Sequence, residues 1–353
     1  MRKVRVAVWG FGAMGSGMAR VLLQRKGVEL AGVCDQDPGK AGRSVYDLLG
    51  LERAGREDVV VSADIDQVLA LQPLDICLIA TNSFVKEVFP KIIRVVERGI
   101  NVLTIAEEMA WPWVKEPELA RQMDEQAREK GVSVLGTGIN PGLMMDLLAV
   151  FLSGCMTEVS HVRCERVNSL SPFGKAVMVD QGIGMTPEAF AEGVQNGTLA
   201  GHVGFVESAG MIASALGLPV DRFQQQMLPI LTRVDRRSAH GFAAAGQVAG
   251  VNMTAQAHAG DQELIHLIHP QQIEPHLADV ETGDYVTLTG TPPVNMAIQP
   301  EVDGGVGTIA MACNMLPFVV AARPGLLSML DLPVPRCVMG DYRDIAFGGS
   351  QHG

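Results

Sequence analysis

Two adjacent carboxylates, Glu107 and Glu108, follow a short apolar run, Ile100 to Ala106. Successive side chains of extended backbone face opposite ways, so one carboxylate can enter a cleft while the other braces the structure. A glutamate desolvated beside a reacting carbon has its pKa raised toward neutrality and can act as a general base on water. Solvent exposure or capping of the next helix is the plain alternative for either residue. The sequence does not separate the two.

A second constellation opens the chain. Lys3 to Gly17 is KVRVAVWGFGAMGSG, in which valines alternate into Trp9 before G-x-G-x-x-G at Gly10, Gly12 and Gly15. The spacing predicts a buried strand, a tight turn at Gly10, an open approach to the backbone at Gly12, and a helix packed closely on the sheet from Gly15. Phe11, Ala13 and Met14 complete the loop. The helix start offers free N–H groups and positive dipole to a pyrophosphate. Val28 to Cys34 is a second strand, and Asp35 at its end is placed to meet ribose hydroxyls. Asp35 favours NAD by repelling a 2′-phosphate and Asp37 adds to that, while Lys40 and Arg43 could turn inward and tolerate NADP.

Other strand ends supply polar groups. Thr81, Asn82 and Ser83 follow the apolar run Leu74 to Ala80 and are expected on the cofactor path, or as a cap for the helix Phe84 to Arg98. Gly136 to Gly142, GTGINPG, is expected to open a helix whose N–H groups, with Thr137, Asn140 and Pro141, cradle a substrate carboxylate. Arg166, Asn168 and Ser171 lie in a strand-to-loop transition suited to a carboxylate or amine, and His202 stands in GHVGF. His266 and His269 face opposite sides of one strand, so no metal set forms.

These residues require an α/β chain. A Rossmann doubly wound parallel sheet of six strands occupies residues 1–142, with a helix after Asp35 to about Gly50. A second α+β domain built on an open mixed sheet fills 143–304, a helical segment 305–343 packs back on the first domain, and 344–353 is a flexible tail. The 353 residues carry net charge -11 and a pI near 5.2 without a Lys/Arg run, which argues against nucleic acid and anionic membranes. The apolar stretches are interrupted by Asp146 and by Asn314 with Pro317, against a membrane span, and no apolar leader precedes the first strand. Six scattered cysteines without C-x-x-C fit reduced thiols in a cytoplasmic protein.

VAVWGFGAMGSG, TIAEEMAWP, VLGTGINPG, NSLSPFG, GHVGF, LIHPQQI, VETGDY and LPVPR-x-x-MGDYR together resemble the 2,4-diaminopentanoate dehydrogenases of ornithine fermentation, a family akin to dihydrodipicolinate reductases that includes native amine dehydrogenases. The resemblance runs from Val4 to Arg343. It implies NAD(P)-dependent oxidative deamination of 2,4-diaminopentanoate to 2-amino-4-oxopentanoate and ammonia, with reductive amination of ketones or aldehydes in reverse. It also places the family's catalytic glutamate on the Glu107–Glu108 pair. The implied partners are a small amine or ketone and ammonia, and the second-domain sheet suggests a homodimer. Competing readings are a dihydrodipicolinate-reductase-like or homoserine-dehydrogenase-like enzyme, and an NAD-binding sensor without turnover. The first lacks its His-His-Lys cluster here.

Overall fold

The computed structural model describes residues 1–71 and 73–348. The chain forms two compact units, Met1–Gly142 joined by the stretch from Gly304 onward, and Leu143–Asp303.

The first unit begins β1 (Val4–Trp9), α1 (Ala13–Leu22), β2 (Val28–Cys34), α2 (Val45–Leu49), β3 (Val61–Ser62), α3 (Ile65–Leu69), β4 (Ile76–Ile79), α4 (Val85–Val96), β5 (Asn101–Thr104), α5 (Pro117–Lys130) and β6 (Ser133–Gly136). All residues of β4 and β6 are buried, as expected of parallel strands covered on both faces. In α4 the apolar side chains recur at helical spacing, and Val85, Val88, Ile92, Val95 and Val96 are buried in the core below β4 and β5. The helix expected directly after Asp35 is reduced to the five residues of α2. Pro38, Gly39 and Gly42, the last at φ +79°, break it, and Lys40 and Ala41 donate instead to the Asp37 carbonyl in a turn.

The second unit contains α6 (Leu147–Ser153), β7 (Glu158–Ser169), α7 (Lys175–Asp180), α8 (Pro187–Gln195), α9 (Phe205–Leu216), β8 (Arg222–Leu231), the short pair β9 (Arg236–Arg237) and β10 (Phe242–Ala243), then β11 (Val248–Ala259), β12 (Gln262–Gln272), β13 (Gly283–Thr291) and β14 (Val294–Ile298). Its main sheet runs β14-β13-β7-β12-β11-β8, mixed because β7 and β12 are parallel and the remaining pairs antiparallel. Burial alternates strictly along β7: Val162, Cys164, Arg166 and Asn168 are buried, while His161, Arg163, Glu165 and Val167 are half-buried on the open face. The charged Arg166 and polar Asn168 thus lie on the covered side. The edge strand β8 carries a glutamine triplet at 224–226 that interrupts any apolar alternation.

The chain then returns to the first unit with α10 (Gly304–Ala321), β15 (Gly325–Leu327) and α11 (Tyr342–Ala346). β15 pairs parallel to β6, giving seven strands in the order β15-β6-β5-β4-β1-β2-β3 rather than six. Three residues are too few to show periodicity. α10 is long and apolar enough to cross a membrane, yet Met311 to Val319 are buried except Asn314, and a Cβ added at Gly17 of α1 would fall 2.3 Å from Ile309. It is a core helix. The flexible tail expected from Asp344 is corrected over 344–346, where α11 is capped by the Asp341 carboxylate accepting from the Arg343 N–H at 3.1 Å. Residues 349–353 of that expected tail lie outside the described residues.

Candidate active site

The glycine turn has three different reasons for its glycines. Gly10 adopts φ +95°, and an added Cβ would meet the Ala80 carbonyl at 2.5 Å. At Gly15 a Cβ would strike the Gly10 carbonyl at 1.8 Å, so the helix lies directly against the turn. At Gly12 a Cβ meets nothing within 4 Å. The protein's own packing does not demand glycine there; a ligand backed against that backbone does. Gly12 and Ala13 are exposed, Met14 is half-buried, Phe11 is buried, and no side chain caps α1. The first-turn N–H groups are therefore oriented for an anion. These residues fit a dinucleotide.

Asp35 stands beside this turn. Its Oδ2 accepts from the Phe11 N–H at 2.6 Å and from Lys40 Nζ at 3.3 Å, and its Oδ1 accepts from the Asp37 N–H at 2.9 Å. Burial alone pushes the carboxyl up, but these donors outweigh it and hold Asp35 below the usual carboxylate range. Lys40 also pairs with Asp37 at 3.4 Å, so it does turn inward, whereas Arg43 donates to the Gly39 carbonyl at 3.2 Å.

The adjacent glutamates are separated in role. They begin a 3-10 turn, Glu107–Ala110, rather than ending an extended strand. Glu108 is buried, with Oε2 accepting from the Val85 N–H at 2.8 Å and Oε1 paired to Lys115 Nζ at 3.0 Å. It caps α4 from a neighbouring strand end, the task expected of Thr81, Asn82 and Ser83, while the N-cap residue Phe84 supplies no side-chain bond. Glu107 keeps a different company. Burial pushes its carboxyl above the ordinary value, opposed by a hydrogen bond from Ser83 and reinforced by the Glu108 charge. A carboxyl with a raised pKa and one hydroxyl partner can exchange protons.

Thr81 and Asn82 stand at the end of β4, held by Lys91, whose Nζ donates to Thr81 Oγ1 at 2.7 Å and to Asn82 Oδ1. Asn82 Nδ2 donates to Glu87 Oε2 at 2.7 Å. Lys91 was missed because its place in the helix shows only an amphipathic face.

The segment after β6 departs from expectation. Residues 140–146 form turns, and α6 starts only at Leu147, so GTGINPG opens no helix and provides no helix N-terminus. Gly142 at φ +124° folds the loop back on Gly138. Thr137 is not available to a ligand: its buried hydroxyl donates to Met329 Sδ at 3.1 Å. Asn140 is half-buried and joined to the buried Pro141 by a cis peptide.

Within the second unit, Asn168 and His202 come together through a residue left isolated by the sequence, His269. Asn168 Oδ1 bonds His269 Nε2 at 2.8 Å, and the His202 and His269 rings meet edge to face at 4.7 Å. With a carbonyl oxygen at Nε2, the proton sits there and Nδ1 remains a buried acceptor with no hydrogen-bond partner among the described residues. Burial, then the Arg166 charge, pushes His202 down to about 3, and burial, then His202 and Arg166, pushes His269 well down. Both are neutral at physiological pH. Arg166 is buried against Asp284 and held there by the Val302 carbonyl. Ser171 is instead engaged by Glu274, donating to its Oε1 and accepting from its N–H, both at 2.9 Å. No group of three or more His, Cys, Asp or Glu among the described residues could hold a metal ion.

Residues 143–347 match the 2,4-diaminopentanoate dehydrogenase C-terminal domain family, and residues 4–137 match the oxidoreductase family with an NAD-binding Rossmann fold. Over 347 residues, 98% of either chain, the sequence is 54% identical to a 2,4-diaminopentanoate dehydrogenase of Acetoanaerobium sticklandii. An amine dehydrogenase of Streptomyces virginiae is 25% identical over 361 residues, covering 94% of this chain and 96% of the other. Among solved structures, the amine dehydrogenase from Mycobacterium smegmatis superposes with a TM-score of 0.83 at 27% identity, across 94% of this chain and 97% of its own.

Proposed function

The chain belongs to the 2,4-diaminopentanoate dehydrogenase family, and from that premise we propose that it oxidises the C4 amine of 2,4-diaminopentanoate to 2-amino-4-oxopentanoate and ammonia, and runs the reductive amination in reverse. NAD, when bound, supplies the hydride acceptor. The residues of the glycine turn and Asp35 bind and orient it. Glu107 activates the water that attacks the oxidised carbon, taking one of its protons. In the reverse direction Glu107 returns that proton to the departing hydroxyl. The observation that carries this reading is the division of labour between the glutamates: Glu108 is committed to Val85 and Lys115, whereas Glu107 has a raised pKa.

Substrate recognition is assigned to the second unit's Asn168–His269 pair, where neutral His269 presents Nδ1 to an N–H or O–H donor. Lys40 beside Asp35 lowers the barrier to NADP, leaving NAD as the first cofactor. A homodimer formed through the open face of the second-unit sheet, and a reducing cytoplasmic setting suited to six free thiols, complete the proposal.

The test is NADH and NADPH oxidation at mildly alkaline pH with excess ammonium, across 2-amino-4-oxopentanoate and small ketones and aldehydes, with ammonia-free controls. Ammonia-dependent turnover fastest on 2-amino-4-oxopentanoate is expected. Turnover without ammonia would make the protein a carbonyl reductase, and NADH binding without turnover would make it a sensor.

A further inference from the structure

We propose that Lys91 is a positioning residue for the dinucleotide: it turns the Thr81–Asn82 strand end into a surface of hydrogen-bond donors and sets a positive charge beside the glycine turn. Lys91 lies in the second turn of α4, and helical side chains lean toward the helix N-terminus. Its ammonium therefore comes back over the end of β4, 5.8 Å from the centre of the Trp9 ring at the end of β1.

The polarity of the network is what matters. Thr81 Oγ1 accepts from Lys91 at 2.7 Å, so its own hydrogen turns away from the lysine. Asn82 spends its carbonyl oxygen on Lys91 and one amide hydrogen on Glu87, which leaves the other amide hydrogen to donate. A ligand meeting this strand end meets donors. Acceptor-only oxygens, as in a pyrophosphate, are the chemistry that satisfies them. The place agrees with the chemistry, because a Cβ at Gly10 would lie 2.5 Å from the Ala80 carbonyl and 2.8 Å from Thr81 Cγ2, so strand end and glycine turn are in contact. Lys91 donates to two neutral oxygens there while burial holds its pKa below the ordinary lysine value, opposed by Glu87. A dianionic ligand would supply compensating charge.

The inference needs only cofactor binding, so failure of the amine substrate panel leaves it standing. The experiment is titration of the full chain with NADH, read by NADH fluorescence over a series of salt concentrations. Lys91→Met should raise the Kd about tenfold. It should also flatten the dependence of log Kd on log salt, which a purely structural defect would leave alone. Lys91→Arg should keep the parent's salt slope. Thr81→Val should weaken binding in the parent and have a smaller effect in Lys91→Met, since part of the lysine's action runs through that hydroxyl. A parental Kd and slope in Lys91→Met, or equal effects of Thr81→Val in both backgrounds, would overturn the proposal. If Lys91→Met melts early, Thr81→Val on the intact lysine decides alone: a raised Kd supports the assignment and an unchanged Kd ends it.

Discussion

In the first unit polar groups are placed by turns at the ends of strands: Asp35 accepts from the N–H groups of Phe11 and Asp37, and Glu107 is hydrogen-bonded by the Ser83 side chain. In the second unit they are placed by long side chains reaching across neighbouring strands, Asn168 to His269 and Arg166 to Asp284. The first arrangement leaves a carboxyl with a raised pKa at the surface of a parallel sheet. The second gives imidazoles held neutral and a guanidinium neutralised by its partner. Proton transfer belongs with the former and shape-specific hydrogen bonding with the latter.

The contrast breaks first at Glu107. Glu107→Gln should lower turnover about 10²- to 10⁴-fold while NADH affinity stays near the parent's, by stopped-flow and fluorescence titration. Glu108→Gln removes the helix cap charge and the Lys115 pair, and should instead cost about 1–2 kcal/mol in urea melts. Equal kinetic losses in both would erase the distinction.

Within the glycine turn the same separation of binding from folding is expected. Gly15→Ala drives a Cβ into the Gly10 carbonyl and should destabilise by about 3 kcal/mol or more. Gly12→Ala has room in the protein, so stability should change by less than about 0.5 kcal/mol while NADH affinity falls. Calorimetry and titration on the two variants check both directions.

For the second unit, Asn168→Ala should reduce kcat/KM for the amine about tenfold or more with the NAD Kd unchanged, because it frees the His269 ring and leaves Nε2–H unpaired. A shifted NAD Kd would contradict the assignment of Asn168 to substrate.

The smallest effect is one of pH. Because burial raises the Glu107 pKa on folding, the folded chain binds more protons than the unfolded one between the ordinary and raised values, so stability falls as pH rises through that window. Glu107→Gln removes this loss. The melting temperature of the variant relative to the parent should increase through that window and level off above it.

Much of the first unit was legible because its chemistry is local: Gly10, Gly12, Gly15 and Asp35 stand in one βαβ unit, and their spacing carries the geometry. The choice between Glu107 and Glu108 was not, because it depends on where Val85 and Lys115 arrive. The 3-10 turn that begins there also replaces the extended backbone assumed for the pair. Thr137 was misread for a similar reason, since Met329 comes from the far end of the chain. The second unit's fold class could be inferred from alternation, but its polar cluster could not. His269 looked isolated because Asn168, on the parallel neighbour strand, is distant in sequence, and Ser171 looked available because Glu274 is distant too.

The return of the chain at Gly304 has a consequence for synthesis. The ribosome delivers the glycine turn and β1 through β6 before the whole of the second unit, and α10, β15 and α11 after it. Until they emerge, the nascent sheet ends at β6 as an open edge, and α1 lacks the helix that covers Gly17. The cofactor-binding half is therefore begun first and completed last, and during translation its unfinished edge is the surface for chaperones to guard.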